Sequence, residues 1–102
     1  MSNFISLDID SPLSPDAARD LIADRLPEFS WRRGDSDAQG PYLSGVSTAG
    51  VRIQCWVGEN PMAMSISFRS ASMDGAAREP ALDAILKTLF PGLGTVRAMT
   101  RS

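Results

Sequence analysis

The chain has 102 residues, 43% of them hydrophobic and 22% charged, and a formal net charge of −2. This length suits one domain with its own core, spanning residues 1–102, and the mixture excludes disorder of the whole chain. No apolar run approaches the roughly 20 residues of a membrane span, one cysteine cannot form an internal disulfide, and the negative balance gives nothing that draws the chain to nucleic acid.

Met1–Asp10 holds no basic segment followed by an apolar one, so no signal peptide is expected there and the cytoplasm is the expected location. Asn3–Ile9 alternates, with Ile5, Leu7 and Ile9 on one side, and reads as a first strand. Ser14 is a suitable N-cap and Pro15 suits the first helical position, where its missing N–H has no partner to lose. Ala18, Leu21, Ile22 and Leu26 recur at helical spacing until Pro27 stops the helix. Phe29 and Trp31 begin a second strand, and Arg32–Gly40, rich in Gly, Asp and Ser, reads as a loop.

Tyr42–Ser47 reads as a third strand, followed by a tight turn at Thr48-Ala49-Gly50. The next two strands are the most legible part of the chain. In Val51–Val57, the residues Val51, Ile53, Cys55 and Val57 share one face, and Arg52, Gln54 and Trp56 share the other. In Met62–Arg69, Met62, Met64, Ile66 and Phe68 separate from Ala63, Ser65, Ser67 and Arg69. One buried face and one wet face follow from this alternation. Ser70–Arg78 is small and polar. Glu79-Pro80 then opens a second helix with Leu82, Ile85, Leu86 and Leu89 as its stripe, ended by Pro91-Gly92. Leu93–Ser102 is expected to be a short strand around Val96 or a loose tail.

The order β-α-β-β-β-β-α predicts an α+β fold. It is a two-layer sandwich with a largely antiparallel sheet of about five strands and two helices on one face. The uncovered face would carry Arg32, Arg52, Gln54, Trp56, Ser65, Ser67 and Arg69. Charge is uneven along the chain. The first 28 residues hold six acids and two bases, which suits a solvated acidic helix beside a mildly basic sheet.

Histidine is absent, which rules out a Ser-His or Cys-His nucleophile and a Cys/His zinc site within the chain. Lys87 and Tyr42 have no obvious catalytic partner in sequence. Asp35-Ser36-Asp37-Ala38-Gln39-Gly40 resembles the first half of a calcium loop, but its fifth position is Gln and its twelfth is Val46 where a Glu is needed. Arg33-Gly34-Asp35 spells the tripeptide that integrins recognise, a match too short to carry weight. Asp8 and Asp10 share the wet side of the first strand. They read as a polar edge that discourages strand pairing rather than as a catalytic pair. Neither a cofactor nor a metal is expected, and Cys55, sharing the parity of Ile53 and Val57, should be an inert buried thiol.

Trp56 among Arg52, Arg69 and Arg32 is the one constellation that suggests binding, since Trp and Arg are enriched at interaction hot spots. The plainer reading lays the indole over the aliphatic stems of its Arg neighbours, or under the C-terminal tail. The functional expectation is a non-enzymatic interaction module that binds a protein partner, or itself as a homodimer, through the exposed sheet face or an edge strand. Its size and charge, and nothing more specific, are those of small adaptors, chaperones and immunity proteins. The alternative is a binder of a small molecule or single-stranded nucleic acid through Trp56 and its arginines. An enzyme working without histidine comes third.

Overall fold

The computed structural model describes residues 4–59, 61–68 and 75–101. They form β1 (Phe4–Asp10), α1 (Pro15–Arg25), β2 (Ser30–Ser36), β3 (Gly40–Val46), β4 (Val51–Trp56), β5 (Met62–Phe68), α2 (Gly75–Leu93) and β6 (Thr95–Arg101). The strands make one six-stranded sheet in the order β2-β3-β4-β5-β1-β6, with every neighbouring pair antiparallel. The α+β sandwich with its helices on one face is therefore the architecture, with one strand more than expected.

The extra strand is the C-terminal segment, Thr95–Arg101, which pairs with β1 along the sheet edge instead of hanging loose. Gly94 makes this approach possible. Its φ is +149°, and a Cβ there would collide with the Asp10 carbonyl oxygen. As a result β1 is an interior strand, paired to β5 on one side and β6 on the other. Asp8 and Asp10 cannot be the guard of a free edge, because their strand has none.

A second correction concerns Arg32–Gly40. The first part of this stretch is strand, not loop, since Ser30–Ser36 matches Val46–Gly40 residue for residue. Its polar, turn-like composition is that of an edge strand, where ladder pairing satisfies the backbone whatever the side chains prefer. The Arg-Gly-Asp segment thereby lies within β2, the calcium-like segment runs from the end of β2 through the turn into β3, and Arg33 is engaged by Asp20 of α1 at 2.7 Å. A third difference is that α2 begins at Gly75, upstream of Glu79. Pro80 removes one helical donor, and Arg78 in the first turn is buried.

The helix α1 starts as the sequence implies. Ser14 Oγ accepts from the Ala17 N–H at 3.2 Å, and Pro15 follows the cap. Both helices pack on the face made by Ile5, Leu7 and Ile9 of β1, Ile53 and Cys55 of β4, and Met64 and Ile66 of β5. Ala18, Ile22, Leu82, Ile85, Leu89 and Leu93 come down on it, while Leu21 and Leu86 reach only the margin of the core. Arg25 donates to the Thr88 carbonyl oxygen at 3.1 Å, tying α1 to α2. No helix among the described residues is long and apolar enough to cross a membrane.

Candidate functional site

With both helices on one face, the other is left uncovered, and the strand registers give its layout. One row across the sheet runs Val46, Arg52, Ser67, Phe4. The next runs Arg32, Ser44, Gln54, Ser65, Ser6, Thr100. The third holds Gly34 and Tyr42 on β2 and β3, then Trp56, Ala63, Asp8 and Ala98. Asp10 follows Asp8 one step further along β1.

Trp56, Arg52 and Arg32 thus lie on one face, as parity implied. Arg69 lies outside the described residues. The C-terminal segment does not cover Trp56, because it is committed to the far edge beside β1. The indole meets Tyr42 edge to face, with ring centroids 5.3 Å apart. Tyr42 in turn lies over Gly34, where any Cβ would collide with the ring. The ring contact of the indole among the described residues is thus with Tyr42.

Two further residues complete this face. Tyr42 has no partner legible in the sequence, because its place beside Trp56 depends on the β3–β4 pairing. Phe4 was legible, since it precedes Ile5 and so must point away from the Ile5/Leu7/Ile9 side. It is 41% exposed. Between Phe4 and Trp56 lies a shallow hollow of about 330 Å³, walled by Ser6, Asp8, Ala63 and Ser65 as well. Small residues floor this centre, so no long side chain shields it.

The charges of the face are segregated. Arg32 and Arg52 are exposed and have no ion pair among the described residues. They stand toward the β2/β4 corner, and Asp8 and Asp10 on β1 stand toward the opposite one. Asp8 is likewise exposed with no ion pair among the described residues, and Asp10 is loosely met by Arg97 at 3.8 Å.

Catalytic chemistry finds little support. The thiol of Cys55 is fully buried among the core residues, and burial pushes its pKa up to about 12, so it is no nucleophile at neutral pH. Among the described residues no three Cys, Asp or Glu side chains come together to hold a metal. A second surface feature is an open apolar groove of about 620 Å³ between α2 and β6, lined by Leu86, Phe90 and Val96 with Lys87 at its side. No protein-family model matches this chain, and none of the curated proteins it was compared with does.

Proposed function

We propose that this chain is a non-enzymatic interaction module that binds a protein partner through its uncovered sheet face. The observation that carries this reading is the composition of that face: Phe4, Trp56 and Tyr42 around small residues, with Arg32 and Arg52 unengaged beside them. A sheet face that only meets water gains from long charged side chains over its backbone. Here the centre is Ser6, Ser44, Ala63, Ser65 and Ser67, with Gln54 as the one longer side chain between Ser44 and Ser65, which leaves a low surface able to approach another. Aromatic and Arg side chains beside such a surface supply the anchors that dominate interface energetics. The buried thiol removes one candidate nucleophile, which favours binding over thiol catalysis.

The test compares capture of proteins from source-cell extract by three immobilised forms: wild type, Trp56→Ala, and Val96→Ser in the α2–β6 groove. The expected result is specific capture by wild type and Val96→Ser, lost on Trp56→Ala. Equal capture by all three, or no specific capture by wild type, overturns the reading.

A further inference from the structure

The segregated charge of the open face says more about its occupant. The face has two diagonals. One runs from Arg32 and Arg52, near the β2/β4 corner, to Asp8 and Asp10 on β1. The other runs from Phe4 on β1, through Ser65 on β5, to Trp56 on β4, stepping one strand and one row each time. Arg32 and Arg52 therefore stand on one side of a line marked by exposed Phe4 and half-buried Trp56, and Asp8 and Asp10 on the other, where Arg97 already meets Asp10.

A two-fold axis along that aromatic line folds the face onto itself. It carries Arg52 over Asp8 of the second copy, Arg32 toward Asp10 of the second copy, and Trp56 beside its own counterpart. Each charge pair occurs twice and the Trp56 self-contact once, on the axis, as a two-fold interface requires. One strand of about 4.8 Å per row of about 6.7 Å sets the axis roughly 36° from the strands, so the strands of the two sheets cross at about 70°, closer to the orthogonal than to the aligned way of packing sheets. We infer that the open face is a homodimer interface, in which a second copy of this chain crosses the first about the Phe4–Trp56 diagonal and pairs Arg52 with Asp8. This inference rests on the reading of the face as an interaction surface and names its partner.

Shape and size agree. Six strands about 4.8 Å apart and about seven residues long at 3.3 Å each make a nearly square face, roughly 29 by 23 Å, so a crossed copy covers most of it. That is on the order of 650 Å² per copy, somewhat below the roughly 800 Å² per partner of standard interfaces, which points to micromolar rather than nanomolar association. The hollow beside Trp56 gives the second indole room to lie next to the first instead of on top of it. Arg97 does not compete for Asp8, since its acidic neighbour is Asp10.

Sedimentation equilibrium of the full chain tests this with paired charge reversals. Wild type should be dimeric at about 100 µM and dissociate on dilution or at high salt. Arg52→Glu alone sets a carboxylate against Asp8 at both symmetric contacts, and Asp8→Arg alone sets a guanidinium against Arg52 at both. Each should weaken self-association at least ~100-fold, while circular dichroism shows both folded. Mixing the two variants restores attraction at the contacts, and a heterodimer should form. A wild type that stays monomeric at about 500 µM, well above a micromolar Kd, overturns the inference. So do single variants that still dimerise, which would move the interface elsewhere, or a mixture that remains monomeric. If wild type is monomeric yet Trp56→Ala abolishes capture of another protein, the self-pairing fails and the interaction face stands. If neither dimerisation nor capture responds to Trp56→Ala, both fail.

Discussion

Gly45 is where a single added methyl should do the most damage. It sits on β3 between Trp31 and Ile53, and its absent side chain would point to the helix-covered face. A Cβ there would lie 2.8 Å from Trp31 Cδ2 and nearer still to Cε3 and Cζ3. The indole cannot easily step aside. It stacks on Phe29 with centroids 5.2 Å apart, and its Nε1–H donates to the Leu26 carbonyl oxygen at 2.9 Å. Backbone entropy by itself would favour alanine over glycine in a strand by up to about 1 kcal/mol, so the sign of the effect isolates the clash. Overpacking costs about 1–3 kcal/mol, the indole hydrogen bond contributes about 1 kcal/mol, and the stack about 0.5–1.5 kcal/mol. The ring keeps part of these, so Gly45→Ala should cost about 3 kcal/mol, a fall in Tm of roughly 12–24 °C for a chain of this size. Urea melts followed by circular dichroism measure it. In a Trp31→Ala background the same change should cost at least about 1.5 kcal/mol less, because the clashing ring is gone. Gly34→Ala is the control, since its Cβ meets only the far end of the Tyr42 ring, which can swing toward solvent, and it should cost under about 1 kcal/mol. A loss below about 1 kcal/mol for Gly45→Ala, or strict additivity with Trp31→Ala, would refute the reasoning.

Three further outcomes follow from the core and its boundary. Ile66→Ala or Phe68→Ala, at buried positions of β5, should each cost about 2–5 kcal/mol in denaturant melts, and a loss under about 1 kcal/mol for both would mean the helices do not rest on this strand. Cys55 should resist thiol reagents in the native state at about pH 8 and react once urea unfolds the chain. Its raised pKa also sets the direction of a pH effect. The folded state holds the thiol proton up to about 12, while the unfolded state loses it near 9.0, so this contribution to stability is present below the unfolded value and declines above it. Cys55→Ala should flatten that alkaline decline, and an unchanged slope would count against it. Ser14→Ala removes the cap that Ala17 N–H relies on and should cost about 1 kcal/mol, read as a shift in urea midpoint at constant slope.

What the sequence determined by itself is the part governed by local chemistry. Alternation in Val51–Val57 and Met62–Phe68 assigned each side chain to a face, because successive residues of a strand must point to opposite sides. Ser14-Pro15 located the start of α1, because a cap and a donor-free residue solve the same problem of unpaired helix amides. Parity alone also puts Arg52 and Trp56 together, and Phe4 opposite the Ile5/Leu7/Ile9 side. The tertiary structure decided whatever depended on pairing between distant segments. Arg32–Ser36 looks like loop and becomes strand because β3 supplies hydrogen-bond partners that composition cannot reveal. Thr95–Arg101 becomes β6 because β1 has an open side and Gly94 can approach it. That choice turned the Asp8/Asp10 strand from a free edge into the interior of the sheet. The diagonal arrangement of arginines, aspartates and aromatics is of the same kind. It exists only once β1, far from β4 in sequence, is inserted beyond β5, and strand order is set by how the whole apolar surface is buried rather than by any residue's own preference.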